Sequence, residues 1–183
     1  MKRITTVAIC VFIAVISGNA NAHDAKSGWQ IGISAVTSEL TRDDDIVDDS
    51  SIGFKLFAQY KFVSWLGLEG AYYYSGDLSS DASSAGDDKV QLVYKGVIIQ
   101  AIGYIPLPWD EVQLFVKGGY FDARVDSTIN GANAGTGSDD GSVFGTGLSI
   151  HVTESFHFRT EFDWFNTNKA DLWTVGLGLE YHF

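Results

Sequence analysis

The sequence predicts an all-β chain closed as an eight-stranded antiparallel up-and-down transmembrane β-barrel. Three observations predict it. Segment after segment alternates apolar and polar residues, the connections alternate long and short, and aromatic rings gather near the segment ends. The end of the chain shows the first pattern best. Trp173, Val175, Leu177, Leu179, Tyr181 and Phe183 share one parity, while Thr174, Gly176, Gly178, Glu180 and His182 share the other. Successive side chains of a strand point to opposite faces, so one face of this strand is wholly apolar.

The other strands follow in order. Gly28 to Ser38 sets Trp29, Ile31, Ile33 and Ala35 against Gln30, Gly32, Ser34 and Val36. Ser51 to Phe62 sets Ile52, Phe54, Leu56, Ala58, Tyr60 and Phe62 against Gly53, Lys55, Phe57, Gln59 and Lys61. Trp65 to Ser75 opposes Leu66, Leu68, Tyr72 and Tyr74 to Gly67, Glu69, Ala71 and Tyr73. Lys89 to Ile105 forms the fourth, where the run Val97-Ile98-Ile99 leaves the facing open. Val112 to Arg124 opposes Leu114, Val116 and Tyr120 to Gln113, Phe115, Lys117 and Phe121. Ser142 to Val152 opposes Phe144, Leu148, Ile150 and Val152 to Gly145, Gly147, Ser149 and His151. Phe156 to Phe165 opposes Phe156, Phe158, Phe162 and Trp164 to His157, Arg159, Glu161 and Asp163. Each is near the roughly 9–11 residues that a tilted membrane strand needs.

The connections are Glu39 to Ser50, Val63-Ser64, Gly76 to Asp88, Pro106 to Glu111, Val125 to Gly141, Thr153 to Ser155, and Asn166 to Asp171. Outer-membrane barrels have short periplasmic turns, longer outer loops and an even number of strands. A soluble lipocalin-type barrel would show the opposite polarity, with apolar residues lining its interior. Here glycines and charges share the inward parity, and the continuous apolar parity belongs against lipid. Trp29, Tyr60, Phe62, Trp65, Tyr104, Trp109, Phe156, Tyr181 and Phe183 lie toward the short-turn end, and Tyr72, Tyr74, Tyr120 and Trp164 toward the long-loop end. Two aromatic belts are what bilayer interfaces select.

Residues 1–22 read as a secretory signal peptide, with Lys2 and Arg3, an apolar run from Val7 to Ile16, and Ala20-Asn21-Ala22 before a cleavage point. The run is too short to span a bilayer. Residues 23–183 are then one barrel domain. The single cysteine, Cys10, belongs to the leader, so the mature domain holds no disulfide, thiolate metal site or cysteine nucleophile. Loss of Lys2 and Arg3 with the leader takes the formal charge from −11 to −13. So acidic a chain offers no phosphate-neutralising patch, and nucleic acid is excluded as a partner.

Inward parity gathers Lys55, Glu69, Lys117, Arg159, Glu161, Asp163 and Glu180 into a lumen charge cluster. Eight strands leave an interior just wide enough for side chains to fill. Opposite charges would pair there as a plug, or as the gate of a narrow pore. Ser149, His151 and His157 invite a hydrolase reading, yet no acid at an identifying spacing accompanies them, so they read as lumen filler without a catalytic role. Gly145-Thr146-Gly147 and Gly176-Leu177-Gly178 precede no helix and are not nucleotide loops. The acids Glu39, Asp43, Asp44, Asp45, Asp48 and Asp49 do not match an EF-hand, and no defined metal site or cofactor is expected. Thr128 to Gly141, rich in Gly, Ser, Asn and Ala, reads as a mobile loop.

The chain resembles the OmpA-like eight-stranded outer-membrane barrels, in the group of small opacity-type surface antigens. The resemblance is carried by Gly28-Trp29-Gln30-Ile31-Gly32, Leu114 to Tyr120, Phe144 to Leu148, Phe158 to Phe165, and Val175 to Phe183. It implies an outer-membrane location and an assembly signal in Leu177, Leu179, Tyr181 and the terminal Phe183. It also implies outer-membrane lipids, lipopolysaccharide, periplasmic chaperones and the barrel-assembly machinery as partners, with the barrel a monomer. No peptidoglycan-binding domain follows the last strand, so that role is not carried over. The function expected is non-enzymatic, in envelope integrity or surface contact, with a narrow pore or a carrier for small or apolar solutes as the alternative.

Overall fold

A computed structural model describes residues 28–42, 45–80, 90–109, 111–129, 132–167 and 171–183. The leader lies outside the described residues. The strands are β1 (Gly28–Arg42), β2 (Asp45–Val63), β3 (Leu66–Tyr74), β4 (Leu78–Ser80), β5 (Val90–Ile105), β6 (Val112–Ile129), β7 (Ala132–His151), β8 (Phe156–Thr167) and β9 (Asp171–His182). All pairings are antiparallel, and β3 and β4 are two pieces of one stave, both hydrogen-bonded to β5. Gly76 lies in the break between them at φ 78°, where an added Cβ would meet the Ile52 carbonyl oxygen. That left-handed backbone suits glycine alone. The result is an eight-stave barrel.

Closure is made by the first and last strands, in register from Gln30 opposite His182 to Thr41 opposite Asp171. The Phe183 amide adds a bond to the Trp29 carbonyl at 3.1 Å. A sheet without a free edge satisfies the backbone groups that lipid cannot.

Facing follows the alternation. Ile52 is 77% exposed and Ile99 62%, whereas Lys55 and Arg159 are each 1% exposed. In β5 the ambiguous run resolves: Val97 and Ile99 face outward and Ile98 inward. The same parity turns Tyr104 into the lumen, correcting its place in the aromatic belt. His151 keeps the inward parity, its ring 3.9 Å from that of His157, but lies exposed at the mouth at the very end of β7.

Two expected loops are largely strand. β1 and β2 stay paired out to Arg42 opposite Asp45, and β6 and β7 out to Ile129 opposite Ala132. Backbone pairing needs no large side chain. Small residues after Thr128 therefore continue the ladder, helped by the β-branched Val125, Thr128 and Thr136.

Candidate functional site: a filled lumen

The inward faces build two layers. Toward the long hairpins the lumen is apolar, with Val36, Tyr73, Tyr94, Ile98, Phe121, Val143, Phe165 and Leu172 packed as one buried cluster. Phe165 meets Phe121 at 4.9 Å between ring centroids and Tyr73 at 5.4 Å. The expectation of a lumen sealed by charge missed this layer. Its signal was present in the aromatic residues of inward parity.

Below it the structure brings all seven charged candidates together. Lys55 and Lys117 both reach Glu161 Oε2 at 2.6 Å, and Lys117 reaches Asp163 Oδ1 at 2.8 Å. Arg159 Nη2 lies 2.8 Å from Glu69 and 3.1 Å from Glu161, while its Nη1 lies 3.4 Å from Glu180. The guanidinium carbon stands 4.3 Å from the Phe57 centroid and 4.5 Å from that of Phe115. Arginine suits this place because its planar fork stacks on rings while bonding carboxylates along its edge. Gln100 donates to Glu69 at 2.6 Å, and Gln59 donates to Tyr104 at 2.9 Å and also to Gln30.

Glycines make room for this network. An added Cβ at Gly145 would stand 2.1 Å from Asp163 Oδ1 and 2.7 Å from Lys117 Cε, and one at Gly147 would stand 2.4 Å from the Phe115 ring.

Toward the short-turn end, Ser149, His157, Glu180 and His182 meet. Ser149 donates to Glu180 Oε1 at 2.5 Å, and His157 Nδ1 lies 3.3 Å from the Ser149 hydroxyl and 3.5 Å from Glu180 Oε1. The structure thus supplies the acid that sequence spacing did not reveal, since Glu180 sits opposite His157 in register. A nucleophile relay places the imidazole between hydroxyl and acid, one nitrogen to each. Here one nitrogen faces both, and the serine bonds the acid directly.

The apolar parity of β9 faces outward: Leu177 and Leu179 are each 54% exposed, and Phe183 is 74% exposed. With Tyr181, half-buried between Phe156 and Phe183, they form a continuous ridge ending at the short-turn rim.

No curated protein matches the chain. Among solved structures, the chain is similar to Ail, the attachment invasion locus protein of Yersinia pestis, at 18% identity and TM-score 0.62, over 86% of this chain and 100% of that one. Neisserial surface protein A is similar at 16% identity and TM-score 0.62, over 86% and 98%. The outer membrane protein OprG from Pseudomonas aeruginosa is similar at 14% identity and TM-score 0.56, over 88% and 98%. At such identities the likeness speaks for the fold. The family described as the outer membrane protein beta-barrel domain matches residues 8–183, so this chain belongs to that family and resides in the bacterial outer membrane.

Proposed function

We propose that this protein is a non-enzymatic surface-contact barrel whose outer hairpins do the binding. The observation that carries the reading is the filled lumen. An apolar layer above a locked ion network leaves the paired hairpins of β1–β2 and β6–β7 as the parts available to partners. The charge of those hairpins indicates the kind of partner. Asp122, Asp126 and Asp140 point outward with Arg124 and Lys95, and the first hairpin adds a run of acids. Ail was crystallised with the heparin analogue sucrose octasulfate. An acidic rim disfavours such a polyanion, because like charges repel, and favours neutral or cationic surfaces.

Replacing Val125 to Gly137 with a two-residue Asn-Gly turn tests the reading in cells. Attachment to host cells or to cationic surfaces is expected to fall to the level of a strain lacking the protein, with the barrel still folded. Unchanged attachment, with new sensitivity to detergent, would instead favour a role in envelope integrity.

A further inference from the structure

The two imidazoles beside Glu180 have no part in the plug or in surface contact. His157 on β8 sits opposite Glu180 on β9, and His182 lies two residues beyond Glu180 on the same inward parity. Their rings stack at 3.6 Å between centroids, and one nitrogen of each addresses the same carboxylate oxygen, His157 Nδ1 at 3.5 Å and His182 Nε2 at 3.1 Å. The three ligating atoms lie within 4.8 Å of one another. Glu180 does not need both rings as hydrogen-bond partners, because Ser149 and Arg159 already bond it.

We propose that His157, Glu180 and His182 form a binding site for a divalent transition metal of the zinc, copper or nickel class at the short-turn mouth of the barrel. Zinc bonds of about 2.0–2.2 Å to imidazole nitrogen and carboxylate oxygen place tetrahedral ligands about 3.4 Å apart. The two spacings to Glu180 Oε1, 3.5 and 3.1 Å, are already close to that value, and the third pair lies within 4.8 Å. Two nitrogens and one oxygen are the donor set that borderline metals prefer, whereas calcium and magnesium want oxygen alone. Outer partners are in place as well. The Gln30 Nε2 lies 3.1 Å from His182 Nδ1 and holds that ring in place at the mouth. Ser149 holds the carboxylate. A path exists for the ion, since the His182 side chain is 20% exposed at the mouth while His157 and Glu180 are buried behind it. Three protein ligands leave further positions open to water.

Titration of the folded protein in detergent micelles with Zn²⁺, followed by calorimetry, is expected to give saturable one-to-one binding that excess Mg²⁺ or Ca²⁺ does not displace. His182→Ala should weaken it by at least about tenfold. His151→Gln should leave it unchanged, although the His151 ring lies 3.9 Å from that of His157. With Cu²⁺ as the probe, electron paramagnetic resonance should show coupling to two imidazole nitrogens in the wild type and to one in His182→Ala. Absence of saturable binding, equal binding by His182→Ala, or equal loss in His151→Gln would each overturn the assignment.

Discussion

Arg159 on β8 reaches Glu69 on β3 at 2.8 Å, straight across the barrel between staves that are not neighbours. The contact ties opposite walls together, with both side chains buried. Replacing Arg159 with methionine keeps the volume but leaves Glu69, Glu161 and Glu180 without their guanidinium. Breaking one partner of a buried ion cluster costs about 3–5 kcal/mol. Urea unfolding in micelles should show a loss of that size, and a loss under about 1 kcal/mol, typical of an exposed pair, would contradict the account.

Conductance is a separate matter from ion pairing. The wild-type barrel should show no stable steps in a planar bilayer, and Lys117→Ala with Glu161→Ala should stay silent too, because Phe121, Phe165 and Tyr73 still close the outer half. Adding Phe121→Gly and Phe165→Gly should produce measurable steps. Stable steps in the wild type would mean that the lumen is a pore.

Gly145→Ala pushes a methyl group against Asp163 and the Phe162 carbonyl oxygen. Overpacking of this kind costs about 1–3 kcal/mol. Gly70→Ala is the comparison, since nothing lies within 4 Å of its added Cβ. Its unfolding midpoint should be close to wild type while that of Gly145→Ala falls.

Orientation is open to labelling. In a Cys10→Ser background, a maleimide that cannot cross the outer membrane should modify Ala134→Cys on intact cells and spare Pro108→Cys. The reverse pattern would invert the barrel.

Deleting Phe183 removes the last ring of the exposed ridge on β9 and the backbone bond to Trp29. The amount of folded, heat-modifiable protein in the outer membrane should drop and periplasmic degradation should rise, with secretion unaffected. Assembly at the wild-type level would show that the terminal ring is not the recognition element.

The staves and their facing were legible because strand periodicity is a local property. Lys55, Lys117 and Glu161 each declare a face through immediate neighbours, and a closed barrel has only one inside. Loop ends were less legible. The β6–β7 hairpin runs through glycine, serine and asparagine, whose side chains say little, while its pairing depends on a partner strand already held in register. Tyr104 was misplaced for a related reason, since an aromatic near a turn reads as a belt residue until parity is counted along all of β5.

The sequence by itself determined the barrel, its outward apolar face and the inward facing of seven charges, because alternation and connection length suffice for these, although Lys61 and Asp139 are buried as well. Tertiary structure decided which charges meet, because contact across the lumen depends on register and stagger. Arg159 and Glu69 are 90 residues apart and lie on staves that never pair. It also decided that an apolar layer caps the ions, and that stacked His157 and His182 both face one oxygen of Glu180. Those groups come from two strands, and only the pairing of β8 with β9 sets them side by side.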